Sequence, residues 1–352
     1  MKRYRPAALE AAVTRIFAGA GCGDDEAACV ARHLVSSNLC GHDSHGVIRV
    51  ARYIDFMAEG TVQPGRHATT VVDVGAMAVL DGNMGFGQVI GEEAMALLAD
   101  KARAHGIALV ALRNCGHVGR LGDWAESLAE HDLVSLHFLN TTGKGMMAMP
   151  FGGSDRRLSL NPLAVCVPVA GGEPLLLDMT TTVVAEGKLA VALNKGEEVA
   201  PGTIVDRDGH PTTRPRDFYD GGALLPIAGH KGSGLNIMVD LLSGGLSGGG
   251  CTRPNEDVLI NTMTSIAIDP TGIVDREAYI AEVRRYADWV AGSPPADASR
   301  PVLLPGGAEQ LTRAERARDG IPLDDETWGQ IVAAGERVGV AADETAALAG
   351  AG

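Results

Sequence analysis

LDGNMGFGQVIG, residues 80–91, lies between a β-branched, alternating run (TTVVDVGAMAVLDG, 69–82) and an amphipathic one (GEEAMALLADKARAHG, 91–106). A dinucleotide fingerprint occupies this position in a doubly wound parallel sheet, its glycines letting backbone approach a pyrophosphate at the helix N-terminus. Gly85, Gly87 and Gly91 space as G-x-G-x-x-x-G, one residue longer than that fingerprint. The next apolar run, IALVAL (107–112), leads into Arg113-Asn114, where an acid would be wanted for ribose hydroxyls. Glycines at such a turn also serve close helix–strand packing. We prefer the packing reading, and with it an α/β fold, a mixed sheet flanked by helices, that is not a Rossmann fold.

Outward from this turn the chain reads as three sections. Residues 6–21 and 24–39 have helical patterns, the second opening on Asp24, Asp25 and Glu26, acids that suit a helix N-terminus. A third helix, IRVARYIDFMAEG (48–60), precedes a Pro/Gly break at TVQPGR. After residue 69 the texture alternates: strands at 107–112, 133–140, 163–169 and 174–179, with a helix at 122–132. TTTVVAEGKLAVALN (180–194) has a helical pattern despite its β-branched start, and residues 200–229 are loop-rich with a turn at Asp208-Gly209. Residues 231–250 are an apolar helix fraying into glycine, 261–270 a strand, 275–292 and 308–319 helices. The expected organisation is a helical section from both chain ends (1–75 plus 270–352) and a mixed α/β section (76–269) for the cofactor.

Of 352 residues, 45% are hydrophobic and 21% charged, and acids exceed bases by 14. The diffuse negative field disfavours nucleic acid and anionic membrane as partners, so a small anionic substrate needs its own local cations. No stretch approaches the roughly 18 uncharged apolar residues of a membrane span. The basic N-terminus runs directly into an amphipathic helix rather than a signal-peptide core. Six scattered cysteines with no C-x-x-C read as reduced thiols of a cytoplasmic protein, without a zinc knuckle.

Four stretches carry chemistry. In GHDSHGVIRV (41–50), Asp43 or Ser44 suits the cap of the third helix. A helix starting near His45 would put Arg49 and Arg52 on the same face. Histidine passes protons near neutral pH, and arginine grips carboxylates through paired hydrogen bonds. A metal-dependent hydrolase using His42, Asp43, His45 and His117 is the reading from another class. It is disfavoured because adjacent residues 42 and 43 rarely aim at one point, and no metal centre is expected. In RNCGHVGRLGDW (113–124), His117 sits between glycines at a strand-to-helix junction. LLLDMTTTVVAEGK (175–188) places Asp178 and hydroxyls at a strand end, suited to ribose. GHKGSG (229–234) sets His230 and Lys231 before an apolar helix. Each of these, alone, is equally an ordinary cap or loop.

Taken in order, SHG with Arg49, RNxxHxG, PFGG (150–153), LDM-T-T…GK, KGxGL…LSG and LPGG (304–307) resemble the malate/L-lactate/L-sulfolactate dehydrogenase family, which includes ureidoglycolate dehydrogenase, diketogulonate reductase and hydroxycarboxylate dehydrogenase. The resemblance implies NAD(P)-dependent hydride transfer on 2-hydroxy or 2-oxo carboxylic acids, a non-Rossmann fold and a homodimer. A cyclic imine carboxylate reductase of the piperideine-2-carboxylate type is the alternative on the same fold. It further implies His45 as proton donor and acceptor, with Ser44 and Lys231 as its relay, or His117 in that role. Arg49 would hold the substrate carboxylate, with Glu186 and Gly187 beside it. His45, His117, Val118, Gly119, Arg120, Thr141, Asp178, Met179, Thr180, His230 and the turn Pro305, Gly306, Gly307 would line the NAD or NADP. Thr180 and Glu186 stand where the family often has Ala and Arg, which puts transfer of any one subfamily's substrate in doubt.

Overall fold

The computed structural model describes residues 1–254 and 258–350. The chain opens with a short strand, Lys2–Tyr4 (β1), and three helices, Pro6–Gly19 (α1), Asp24–Leu39 (α2) and Arg49–Ala58 (α3). Proline at the first position of α1 and the acid triplet at the start of α2 suit those helix N-termini. The hairpin Thr69–Val74 (β2) and Met77–Asp81 (β3) follows, then Gly87–His105 (α4), Ile107–Cys115 (β4), Leu121–Ala129 (α5) and Val134–Thr142 (β5). Leu163–Val167 (β6) and Leu175–Met179 (β7) lead into Glu186–Lys195 (α6). The expected loop-rich segment holds a small sheet, Ile204–Val205 (β8), Pro211–Thr212 (β9) and Ala223–Leu224 (β10), with Pro215–Tyr219 (α7) inside it. His230–Asp240 (α8), Ile260–Ile268 (β11), Arg276–Ala291 (α9), Gly307–Asp319 (α10), Ile321–Leu323 (β12), Asp325–Arg337 (α11) and Ala342–Leu348 (α12) complete the chain.

The main sheet runs β2-β3-β4-β11-β5-β6-β7, and only β3 and β4 pair in parallel. One parallel pair in a seven-stranded sheet is not a doubly wound arrangement, which needs successive parallel crossovers. The 80–91 glycines are packing residues. A Cβ on Gly91 would stand 2.5 Å from the Trp124 ring, and one on Gly87 would run into the His117 carbonyl. Helix α4 therefore starts at Gly87, four residues before the expected start, because those glycines bring its first turn against the His117 loop.

Both chain ends share one apolar core. Leu9, Val13, Ile16 and Phe17 of α1 and Leu34 of α2 pack with Ile321 of β12 and Ile331 and Ala334 of α11, and β1 pairs with β12. A second core, built on Leu98, Val110, Leu112, Trp124 and Met263, lies between the sheet, α4 and α5.

The structure corrects the expected helix over 180–194, which starts only at Glu186. The β-branched Thr180, Thr181 and Thr182 bond outward instead, the first two to the Leu160 carbonyl and the third to the Val184 carbonyl, as hydroxyl residues do when they compete with helix. Beyond Asp240 the apolar helix widens into a π turn, Leu241–Gly245.

Candidate active site

His45 lies in a single 3-10 turn, Asp43–His45, between α2 and α3. Neither Asp43 nor Ser44 caps α3, which begins only at Arg49. Asp43 instead accepts from Asn38 Nδ2 at 2.6 Å and pairs with Arg316 at 2.5 Å, which ties the turn to α10. The expected common helical face of His45, Arg49 and Arg52 is therefore not formed. Arg52 turns to Glu59 at 3.1 Å and covers the Phe56 ring. His45 and Arg49 still meet, because the turn folds back: Arg49 Nε donates to the Ser44 carbonyl at 2.6 Å. Gly46 allows this, since a Cβ there would collide with Asn38, whose Oδ1 accepts from the Val47 N–H at 2.8 Å.

The two histidines come together. The rings of His45 and His117 stack with centroids 5.5 Å apart and planes 20° from parallel. Ser44 Oγ sits 3.1 Å from His45 Nδ1. On His117 two donors converge on Nδ1, the Gly119 N–H at 3.3 Å and the Tyr53 hydroxyl at 2.7 Å, and Gln88 Nε2 donates to that hydroxyl at 2.9 Å. Nδ1 is then an acceptor, and the neutral ring carries its hydrogen on Nε2. Burial, with the Arg49 cation second, pushes His45 down to about 3. The same two causes, with His45 third, hold His117 well below the ordinary histidine value. Both rings are neutral at pH 7.

Strand β11 holds the loop in place. Asn261 Oδ1 accepts from the Val118 N–H at 3.0 Å, while its Nδ2 donates to Thr141 Oγ1 at 2.9 Å, joining the His117 loop to the end of β5. Tyr53, Gln88 and Asn261 were not singled out from the sequence. Tyr53 falls four residues after Arg49, a helical spacing that could have marked it, whereas nothing local points to Gln88 or Asn261.

A second cluster lies around the end of β7. Asp178 Oδ2 accepts from the Gly122 N–H at 2.8 Å and stands 3.7 Å from Arg120 Nε. Burial raises the Asp178 carboxyl against the opposing pull of Arg120. The turn Pro305, Gly306, Gly307 docks on the same strand, the Leu176 N–H donating to the Pro305 carbonyl at 3.1 Å. His42 reaches Glu309 at 3.3 Å just beyond it. Arg120 is almost wholly buried, its Nη1 shared by Asp123 and Glu126 at 2.9 Å. Its expected place along the cofactor is thus that of a buried strut, although its Nε and Nη2 have no hydrogen-bond partner. Met179 and Thr180 are half-buried at the strand end, with Thr180 bonded to the Leu160 carbonyl.

The two clusters meet through α6. A Cβ on Gly187 would lie 2.6 Å from Ser44 Cβ, so the first turn of α6 presses on the His45 turn. Glu186 beside it accepts from the Tyr219 hydroxyl at 2.8 Å. His230 and Lys231 are exposed at the start of α8, His230 edge-on to Phe151. The structure does not bond Lys231 to Ser44, so the expected relay is absent here. His42, Asp43, His45 and His117 form no metal-holding group among the described residues, since His42 and Asp43 face α10.

The site thus sets paired neutral histidines beside an arginine, on a non-Rossmann mixed sheet with an acid at a strand end. The family model for malate/L-lactate dehydrogenase matches residues 4–332, and the chain belongs to that family. It is 42% identical over 347 residues to hydroxycarboxylate dehydrogenase B of Escherichia coli (strain K12), covering 96% of this chain and 95% of that one. It is 40% identical over 236 residues to a Δ1-pyrroline-2-carboxylate/Δ1-piperideine-2-carboxylate reductase of Pseudomonas syringae pv. tomato, 67% of this chain and 68% of the other. Among solved structures, sulfolactate dehydrogenase from Methanocaldococcus jannaschii superposes with a TM-score of 0.89 at 29% identity, covering 97% of this chain and 99% of that one.

Proposed function

We propose that this chain is an NAD(P)-dependent 2-hydroxyacid dehydrogenase that interconverts small 2-hydroxy and 2-oxo carboxylic acids of the hydroxycarboxylate type. The observation that carries this is the neutral His45–His117 stack beside the Arg49 guanidinium, whose terminal nitrogens are left for a carboxylate. The residues fit a dinucleotide as well. Arg120 keeps two buried nitrogens without a hydrogen bond, one of them 3.7 Å from Asp178, and Gly119 and Gly306 have left-handed backbones. A Cβ on Gly122 would press on both Arg120 and Asp178. Asp178, Met179 and Thr180, the turn Pro305 to Gly307, Thr141 and the His117 loop would hold it. When bound, the nicotinamide supplies or takes up the hydride.

The chain's own residues do the rest. Arg49 orients the substrate carboxylate, His45 takes the hydroxyl proton in oxidation and returns it in reduction, and Ser44 steadies its Nδ1. His117, held with its hydrogen on Nε2, donates a hydrogen bond to the reacting oxygen. A carboxylate on Arg49 offsets the cation that helps depress His45, so the substrate itself raises the pKa of its acid. Glu186 faces the same turn through Gly187, and its charge favours substrates with one carboxylate over those with two. The inner section 76–269 would carry the cofactor and the helices of both chain ends the outer layer.

A matrix of NADH and NADPH against pyruvate, phenylpyruvate and Δ1-piperideine-2-carboxylate tests the reading. Turnover with the oxo acids is expected. Turnover with the imine alone would hand the assignment to the cyclic imine reductase, and none at all would overturn both. Glu186→Gln should raise kcat/KM for dicarboxylates relative to monocarboxylates. We also propose a cytoplasmic homodimer. No helix among the described residues is long and apolar enough to cross a membrane. Helix α8 and the turn after it expose Leu235, Met238 and Leu241, three residues apart in sequence and each at least 37% accessible, an apolar stripe that a second copy would cover. Light scattering should give twice the chain mass, and Met238→Asp with Leu241→Asp should halve it.

A further inference from the structure

Away from the histidine pair, α2, α4 and α5 bring together a second set of ligand-type side chains. Cys29 and His33 are four residues apart on α2 and so project from one face. Glu92, on α4, closes the set. One ligand atom of each (Cys29 Sγ, a His33 ring nitrogen and a Glu92 oxygen) lies within 4.8 Å of the others. His33 Nε2 is 3.0 Å from Glu92 Oε1. On the far side of the ring, Nδ1 is 3.0 Å from Asp123 Oδ2, a carboxylate that is itself buried and paired with Arg120. A metal-binding histidine typically has this outer partner, a carboxylate on one ring nitrogen that orients the other toward the ion.

We propose that Cys29, His33 and Glu92 form a binding site for a divalent transition metal of the zinc type, with Asp123 orienting His33. A thiolate, an imidazole and a carboxylate make a mixed soft and borderline donor set that suits Zn²⁺ or Co²⁺ and not Mg²⁺ or Ca²⁺. Donors at about 2.0–2.3 Å from a tetrahedral ion stand roughly 3.5 Å apart, so closure needs about an ångström of side-chain movement. Glu92 is placed to supply it, with a side chain 46% accessible, whereas Cys29 and His33 are mostly buried. Its Oε1 also accepts from Arg32, which leaves Oε2 for the ion. The accessible Glu92 side opens the fourth position to water. An ion here would clamp α2 to α4 and, through Asp123 and Arg120, brace the residues that follow His117. The C-x-x-x-H spacing in α2 is the only trace of this site in the sequence; Glu92 and Asp123 arrive by folding.

Metal-stripped full-length chain titrated with Co²⁺ tests the site by absorption, independently of dehydrogenase activity. Uptake of one ion per chain is expected, with a near-ultraviolet thiolate-to-cobalt charge-transfer band and tetrahedral d–d bands. Zn²⁺ should displace it and raise the thermal midpoint. Cys29→Ser should lose the charge-transfer band, and Glu92→Gln, at the accessible edge, should weaken Co²⁺ binding at least tenfold while leaving the circular dichroism unchanged. No uptake by the wild-type chain would overturn the proposal. So would a band that survives Cys29→Ser, or binding that disappears only when the Asp206, Asp208 and His210 turn is altered.

Discussion

At the residue level the proposed chemistry depends on the charge state of His45. Replacing His45 with Ala should lower turnover by about 10²- to 10⁴-fold, the usual worth of general acid–base help, with cofactor binding measured by fluorescence nearly unchanged. If turnover survives in that variant and fails in His117→Ala, the proton-transfer role belongs to His117. Arg49→Ala removes a charge-assisted contact worth about 1.5–3 kcal/mol, so KM should rise roughly 10- to 100-fold, more than kcat falls. The pH dependence has a definite sign. In oxidation the free enzyme needs neutral His45, and burial plus the Arg49 cation hold it near 3. The acid limb of kcat/KM should therefore lie well below the ordinary histidine value of about 6.5. Removing the Arg49 cation favours the protonated ring, so in Arg49→Ala that limb should move to higher pH. A limb near 6.5 in the wild type that Arg49→Ala does not move would show that His45 is not the titrating base.

At the level of elements, glycine packing separates this fold from the one its sequence superficially suggests. Gly91→Ala pushes a methyl group against the Trp124 ring and should cost about 1–3 kcal/mol of stability by overpacking, read as a lower denaturant midpoint. Cofactor affinity should hold, whereas a fingerprint glycine against a pyrophosphate would lose it. Gly187→Ala acts the other way. Its new methyl meets Ser44 Cβ, so the His45 turn should shift and kcat fall roughly 10- to 100-fold, with the midpoint nearly constant. Most elements were legible because their apolar periodicity is strong. The misreadings have local causes. Thr180 to Thr182 lie in an apparent helical pattern but spend their hydroxyls on neighbouring carbonyls, and Asp43 suits a cap by its position in sequence whereas the cation it pairs with, Arg316, lies far along the chain. The family motifs mark His45, Arg49, His117 and Asp178, and a helical spacing from Arg49 marks Tyr53, whereas Gln88 and Asn261, which help to set tautomer and position, come from contacts that no spacing encodes.

At the level of the whole molecule, the part hidden from the sequence is the order of the sheet. β11 inserts between β4 and β5 from more than a hundred residues downstream, and β1 meets β12 across nearly the whole chain; periodicity carries no record of partners that distant. That arrangement also buries histidines. His137 on β5 is fully enclosed, its Nδ1 2.8 Å from Ser265 Oγ on β11 and its Nε2 without a partner, and burial pushes it down to about 3. His45 and His117 are depressed as well. Unfolded histidines take up protons below about pH 6.5, whereas these stay neutral in the fold, so the unfolded chain binds more protons through that window. Their contribution to stability is therefore fully present above pH 6.5 and falls as pH drops toward 3, with His137 alone contributing a slope of about 1.4 kcal/mol per pH unit. Urea unfolding at a series of pH values between 7 and 5, above the range where most carboxylates titrate, should show this slope. His137→Gln keeps a polar partner for Ser265 and removes the titrating ring, so its curve should be flatter by about one proton whatever its stability at pH 7. Parallel curves for the two chains would mean that His137 is protonated within the fold.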